Sequence, residues 1–265
     1  MQPDSPGLRR LATAIRLRAV RMVAPQGFGY LGQALSAAEQ YAAVYGAAYR
    51  PGTDRVVCSP GHYVIAAYAA AAETGLIDEA ALASYGQNGS ALEAIGTERS
   101  PVPDYTCGSL GQGLSAAAGF AVADRLQGRP EVRTFAFLSD GELQEGQVWE
   151  AAMFAGHYAL DRLTVLLDAN NSQVDGPVDS ITTIEPVAAK WRAFGWDAAD
   201  LDGHDVAAIA TELGMAATRP RVLICRTSTR HGLSCLPPDA DGHFIKLPAD
   251  LAEAAIAELT AELAR

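Results

Sequence analysis

The chain has 265 residues, and its 49% hydrophobic content is enough for one substantial core. Its 31 acidic and 20 basic side chains give a net charge of -11, which argues against a nucleic-acid-binding surface. An anionic ligand would therefore need a local source of positive charge, such as a bound metal or the N-terminus of a helix.

No apolar stretch reaches the ~20 residues that a membrane span requires, so we expect no membrane-spanning segment. Near the N-terminus, arginines alternate with apolar residues at helical spacing, which favours an ordinary amphipathic helix over a transit peptide. The four cysteines form no CxxC pair and no cluster with histidine. We therefore expect reduced thiols and a cytoplasmic location.

The apolar pattern alternates between helices and strands along the chain. Helices are predicted at 8–23, 34–47 and 61–74, and a short strand at 55–58. Residues 85–108 are rich in Gly, Pro, Ser and Asn without periodicity, and they are predicted to form a long loop of the kind that is usually functional or disordered.

Further strands are predicted in the second half of the chain, each followed by a turn and a helix; they lie at 132–138, 163–168, 196–201 and 221–227. Near-continuous hydrophobicity and helical spacers are typical of parallel strands covered on both faces. The fold class is therefore α/β, with a doubly wound, mostly parallel sheet flanked by helices. We expect one domain over 1–265, with an irregular loop at 228–248 and a closing helix at 249–265.

In such a fold the ligand crevice lies beyond the carboxyl ends of the strands. Asp140 ends one predicted strand, and Asn170 follows the next, so their side chains should meet at one edge of the sheet. Carboxylate and amide oxygens are ligands that Mg²⁺ accepts. Alternatively, Asp140 caps a helix that begins at 142, and Asn170 with Asn171 forms a turn.

The order of strand, Ser139-Asp140-Gly141, acidic helix, strand and Asn170-Asn171 is similar to the thiamine-diphosphate fingerprint. Three further stretches carry the same likeness: CSPGH at 58–62, TCGSLGQGLS at 106–115 and DANNSQVDG at 168–176. Together they resemble the N-terminal, diphosphate-binding half of transketolases, and especially the short subunit of two-component transketolases. The resemblance implies the thiamine-diphosphate-binding fold and two cofactors, thiamine diphosphate and Mg²⁺.

The resemblance also implies roles for individual residues. Asp140 and Asn170 would bind Mg²⁺ through their side chains, and Ser172 through its backbone carbonyl. Gly141 would let the backbone approach the diphosphate, and the amides that open a helix at 142 would favour an anion. The remaining residues expected to bind the cofactor are His62, Gly108, Ser109, Leu110 and Glu142.

Other positions that match the family concern catalysis and assembly. His62 and His243 would lie near the diphosphate and the reactive side of the thiazolium, as catalytic residues. Glu145 and Glu150 match carboxylates at the subunit interface, where buried like charges can hold a proton. The alternative is that both glutamates lie on the solvated face of a helix.

The chain departs from the family pattern at the substrate pocket. Tyr30 stands where transketolases carry a histidine, and no histidine lies between His62 and His157 to match a second one. A phenol with a pKa near 10 cannot carry protons at neutral pH as an imidazole does. We therefore expect either a different ketose donor or a non-sugar acceptor, such as a lipoyl-bearing carrier protein.

The resemblance places a pyrimidine-binding domain after residue 265, and that domain contributes the glutamate that activates the cofactor. We expect a separate subunit to supply it, so that the chain acts only in a complex, with a heterotetramer as the natural arrangement. The expected activity is transfer of a two-carbon ketol unit. A catalytically silent cofactor-binding or scaffolding subunit is the alternative, whereas a nicotinamide-binding domain is disfavoured because no GxGxxG turn follows the first strand.

Overall fold

The central sheet of the chain is parallel throughout. A computed structural model describes residues 5–265, so the first four residues of the predicted domain lie outside the described part. In that part, the sheet has six strands: β2 Arg55–Pro60, β3 Tyr105–Cys107, β4 Thr134–Ser139, β5 Leu163–Ala169, β6 Asp197–Asp202 and β7 Arg221–Arg226. Their order is β3-β2-β4-β5-β7-β6, and every neighbouring pair is parallel. This confirms the predicted fold class.

Helices cover both faces of the sheet. They are α1 Ser5–Val23, α2 Leu31–Ala43, α3 Val64–Glu73, α4 Gly113–Leu126, α5 Gly146–His157, α6 Val178–Ile181, α7 Val187–Ala193, α8 Val206–Gly214 and α9 Ala249–Leu263. One layer contains α1, α2, α3, α8 and α9, and the other contains α4, α5 and α7. Among the described residues, none of these helices is long and apolar enough to cross a membrane.

The two faces of the sheet alternate along each central strand, as strand geometry requires. In β4, Phe135 and Phe137 join the core under α1 to α3, while Ala136 and Leu138 join the core under α4 and α5. All four side chains are at most 2% exposed. This double burial explains why the strand is apolar at its four central positions.

Three short strands escaped the sequence prediction. β3 lies inside the stretch predicted as a long loop, and it pairs with β2 at the edge of the sheet. β1 (Phe28–Gly29) pairs antiparallel with β8 (Ile245–Lys246), which lies in the predicted irregular loop at 228–248. This two-stranded ribbon ties the start of α2 to the segment before α9.

A helix does begin next to residue 142, but it is only a short 3-10 helix. After β4 the chain forms only a four-residue 3-10 helix, Gly141–Gln144, and α5 begins at Gly146. A single turn has too few aligned peptides for a large helix dipole. The expectation that the amides at this helix start favour the diphosphate stays a prediction, and it depends on their N–H groups rather than on a long helix dipole.

Candidate cofactor and metal site

One cavity of about 400 Å³ opens at the carboxyl ends of β2 to β5. The chain passes from β2 to β3 on one side and then crosses back to β4 on the other side of β2. In open α/β sheets, ligands bind where the strand order reverses in this way. The predicted site residues that line the cavity are Tyr30, His62, Gly108, Leu110, Gly141, Glu145, Ser172 and His243. The fold thus brings together predicted site residues that lie more than two hundred positions apart in the sequence.

Asp140 and Asn170 are held at adjacent strand ends. The register of β4 and β5 pairs Ser139 with Asp168, so the turns after these strands lie side by side. The Asp140 carboxylate accepts backbone hydrogen bonds from Gly141 at 2.8 Å and from Asn171 at 2.6 Å. Asp140 therefore caps the 3-10 helix at Gly141 and ties two turns together, while the metal-binding interpretation stays a prediction.

The turn after β5 has unusual backbone geometry. Asn171 has φ +56°, a left-handed conformation that asparagine tolerates better than most residues. In that turn the Ser172 N–H donates to Asn170 Oδ1 at 2.9 Å. The predicted metal ligands Asn170 and Ser172 are thus fixed relative to each other by local hydrogen bonding.

The donor set at this edge fits a divalent cation. Asp140 is 3% exposed, and burial, together with the nearby charge of Asp168, raises its pKa to about 7. Among residues 5–265, no arginine, lysine or histidine forms an ion pair with either carboxylate. A buried carboxylate without a basic partner is costly, and an oxygen-coordinated Mg²⁺ would offset that cost.

Gly141 lies directly after Asp140 and lines the cavity. A Cβ at this position would be 3.0 Å from Gln173 Oε1, which is tighter than ordinary contact. The missing side chain leaves the backbone open to a ligand, as close approach to a diphosphate requires.

Glu142 is buried away from the cavity. Its carboxylate accepts hydrogen bonds from the Ser59 hydroxyl and from the Gly111 backbone N–H, the latter at 2.7 Å. Burial raises the pKa of Glu142 to about 7. Glu142 therefore holds the loop 108–111 in place, and the structure gives it no direct route to the cofactor that the sequence interpretation assigned.

Of the three residues of the loop 108–111 that were predicted to bind the cofactor, only two border the cavity. Gly108 and Leu110 line it, and Leu110 is 36% exposed. Ser109 is exposed and does not line the cavity, and its carbonyl accepts a hydrogen bond from the Cys107 thiol at 3.1 Å.

Three predicted residues form an aromatic cluster on the opposite wall. The Tyr30 ring lies 5.2 Å from the His62 ring and 5.7 Å from the His243 ring, and the two imidazoles are 4.9 Å apart. Phe244, which sequence reasoning missed, packs edge-on against Tyr30 at 5.1 Å. Tyr30 therefore contacts both expected catalytic histidines.

Both imidazoles are neutral at pH 7. Burial, followed by the neighbouring His243, lowers the pKa of His62 to about 3, and burial also lowers the pKa of His243. Gln33 Nε2 lies 3.1 Å from His243 Nδ1; because the amide nitrogen only donates, Nδ1 accepts and Nε2 carries the proton. Gln33 is a second residue that sequence reasoning missed, because a glutamine on a helix gives no sign that it points inward.

Glu145 and Glu150 are exposed, as the solvated interpretation requires of a single chain. Glu145 also borders the cavity. Glu150 lies on α5, and this helix exposes two large apolar side chains, Met153 at 54% and Phe154 at 43%. Exposed apolar groups beside these glutamates are compatible with a subunit interface.

Comparison with known proteins identifies relatives along nearly the whole chain. Residues 8–263 match the family model described as transketolase, thiamine diphosphate binding domain. An uncharacterized transketolase family protein of Sinorhizobium fredii is 40% identical, covering 92% of each chain. A 6-deoxy-6-sulfo-D-fructose transketolase subunit of a Clostridium species is 36% identical, covering 96% of this chain and 97% of its own length.

Longer relatives match over less than half of their length. Human transketolase is 32% identical over 99% of this chain but only 44% of its own length. The structure of Campylobacter jejuni transketolase superposes with a TM-score of 0.85 at 26% identity, covering 96% of this chain and 43% of that one. From this fold and the family match, the chain belongs to the transketolase family, of which it contains the thiamine-diphosphate-binding domain.

Proposed function

We propose that the chain is the diphosphate-binding subunit of a two-component enzyme that depends on thiamine diphosphate and Mg²⁺. The enzyme would transfer a two-carbon ketol unit from a ketose donor. One observation carries this proposal: Asp140 is a buried carboxylate that forms no ion pair among residues 5–265, and it lies between Ser139 and Gly141, which both line the cavity of about 400 Å³. Asp140 itself borders a neighbouring cavity of about 290 Å³.

In this proposal the chain's own residues bind and orient. Asp140, Asn170 and the Ser172 carbonyl hold the metal, and Gly141 admits the diphosphate. Thiamine diphosphate supplies the carbanion chemistry when it is bound. The neutral imidazoles of His62 and His243 would hydrogen-bond to donor oxygens and move protons there without adding charge.

The two-component arrangement is supported by the lengths of the relatives. The chain spans 44% of human transketolase, but it spans 97% of a relative that is itself named a transketolase subunit. A partner subunit would bind the aminopyrimidine and supply the activating glutamate. Glu145, Glu150 and the exposed apolar residues of α5 would lie at the interfaces of a complex with two copies of each subunit.

The ketose donor would be recognised by a wall of aromatic side chains in which Tyr30 takes the place of a family histidine. Tyr30 packs between His62, His243 and Phe244, and no lysine or arginine is among the described residues that line the cavity. A phosphate or sulfonate on a ketose would therefore be bound by the partner subunit. The altered wall also keeps open a non-sugar acceptor, such as a lipoyl-bearing carrier protein.

The test is a titration followed by an assay. Isothermal calorimetry of the chain with its partner subunit should show thiamine diphosphate binding that requires Mg²⁺. In the Asp140→Ala variant, added Mg²⁺ should no longer promote thiamine diphosphate binding. The mixture should then cleave a ketose donor, with xylulose 5-phosphate and 6-deoxy-6-sulfofructose as parallel substrates, while either subunit alone should not. Turnover by the chain alone would refute the two-component proposal.

A catalytically silent scaffolding subunit is the second candidate. Tyr30 at the position of a family histidine is the observation that favours it. Cofactor binding without turnover on any donor would support it against the enzyme. All four cysteines are free in the structure, which is typical of a reducing compartment, and we propose a cytoplasmic location on that basis.

A further inference from the structure

Asp168 is a buried carboxylate next to the candidate metal ligands. It lies near the end of β5, is 1% exposed, and has no role in the function proposed above. Its carboxylate accepts five side-chain hydrogen bonds. The donors are Ser36 at 2.5 Å, Gln40 at 3.1 Å, Tyr63 at 2.8 Å, Asn170 at 2.7 Å and Thr227 at 2.6 Å.

The neighbours of Asp168 show that its two oxygens act mainly as acceptors. Gln40 presents an amide nitrogen, which can only donate. Tyr63 and Thr227 have no closer acceptor for their hydroxyl protons, whereas the Ser36 hydroxyl also lies 3.2 Å from the Gln33 carbonyl. Burial raises the pKa of Asp168, and these donors oppose that shift.

The same contacts fix the orientation of the Asn170 amide. Nδ2 lies 2.7 Å from Asp168 Oδ2, 3.0 Å from the Tyr63 hydroxyl and 3.3 Å from the Ser36 hydroxyl. A carboxylate only accepts, so the nitrogen must face Asp168 and Oδ1 must face the other way. Oδ1 accordingly accepts from the Ser172 N–H, and its second lone pair remains free for an ion.

We propose that Asp168 is a positioning residue of the metal site, which directs Asn170 Oδ1 toward the ion. A divalent cation then meets the Asp140 carboxyl group and one aligned amide oxygen. The inference rests on the proposed metal-dependent function, because it concerns the same ion.

The experiment measures binding of Mn²⁺, as a paramagnetic substitute for Mg²⁺, to the chain with its partner subunit and saturating thiamine diphosphate. Asp168→Asn should weaken Mn²⁺ binding by roughly 10- to 100-fold, the usual effect of removing a group that orients a ligand. Thr227→Val is the matched control, because it removes a hydrogen bond from the side of Asp168 that faces away from Asn170. It should stay within about threefold of the wild type.

An exchange of the two side chains separates this role from simple packing. In the double variant Asp168→Asn/Asn170→Asp, the new amide at 168 can donate to the new carboxylate at 170, and the Ser36 and Tyr63 hydroxyls can rotate to match. Total charge and the number of hydrogen bonds are conserved. The exchange should bind Mn²⁺ within about tenfold of the wild type and more tightly than Asp168→Asn.

Each outcome decides the proposal. An Asp168→Asn variant that binds like the wild type overturns it, as does an exchange variant that fails to fold or that binds no more tightly than Asp168→Asn. If Asp168→Asn does not fold but the exchange variant folds and binds Mn²⁺, the proposal is supported. A wild-type complex that binds no Mn²⁺ refutes the proposed function instead, so the two failures are distinguishable.

Discussion

The buried Asp140 carboxyl should make the metal-free chain less stable as the pH rises. Its usual pKa of 3.8 is raised to about 7, first by burial and then by the charge of Asp168. A carboxyl group whose pKa is higher in the folded chain stabilises the fold at low pH, and that contribution is lost as the pH rises toward the folded-state value. The loss therefore falls between pH 4 and pH 7.

Asp140→Asn removes this dependence. One pKa unit is worth about 1.4 kcal/mol, so the two units between pH 5 and pH 7 correspond to about 3 kcal/mol. The amide also places an N–H against one of the two backbone donors, Gly141 or Asn171, at a cost of about 1–3 kcal/mol that does not vary with pH. Relative to the wild type, the variant should thus gain about 3 kcal/mol between pH 5 and pH 8.

Thermal unfolding in chelator across this pH range measures the effect. A gain of about 3 kcal/mol corresponds to a relative shift in Tm of roughly 6 °C or more for a chain of this size. Added Mg²⁺ at pH 8 should stabilise the wild type and leave Asp140→Asn unchanged. If the difference between variant and wild type is constant over pH, the Asp140 carboxyl is not perturbed as argued and the electrostatic case for a cation fails.

Three further predictions concern the walls of the site and the exposed face of α5. Gly32→Ala should destabilise the chain by about 1–3 kcal/mol in denaturant unfolding and displace His243, because the new methyl would lie 1.9 Å from the Gly242 carbonyl oxygen; a stability equal to the wild type would contradict this. Tyr30→His should change the ranking of kcat/KM among ketose donors in the reconstituted complex while leaving Mg²⁺ affinity within about threefold, and an unchanged ranking would remove Tyr30 from the substrate pocket. Phe154→Glu should leave Tm nearly unchanged, since the side chain is 43% exposed, but should weaken subunit association in analytical ultracentrifugation; intact association would show that this face of α5 is not an interface.

The sheet, and the meeting of Asp140 and Asn170 at its edge, could be predicted from sequence because both rest on local patterns. Continuous apolar runs marked the central strands, and the polar residue after each run marked its carboxyl end. β3 could not be predicted in this way, because a strand of three residues is too short to show a periodic pattern of apolar residues. The two-residue strands β1 and β8 are stabilised by pairing with each other over a long sequence separation, which no local pattern records.

The residues that support the site were the harder part. Ser36, Gln40 and Tyr63 lie on or before helices, and their contact with Asp168 depends on how α2 and α3 pack over β5. Polar residues in the middle of a helix are expected on the solvated face, so their sequence positions give no sign of burial. The signal that could have identified Asp168 itself was its place at the end of an apolar strand, two residues before Asn170.

The two halves of the site depend on different parts of the fold. The metal edge is fixed by the register of β4 and β5, so any shift of Asp140 or Asn170 requires a change in the core of the sheet. Tyr30 and His243 instead flank the small β1–β8 ribbon outside the main sheet, where Leu247 N–H donates to the Gly27 carbonyl at 2.7 Å. We therefore expect a substitution at Tyr30 to leave the candidate metal ligands Asp140 and Asn170 in place. If Tyr30 contacts the donor as proposed, donor recognition and metal binding can change independently in this fold.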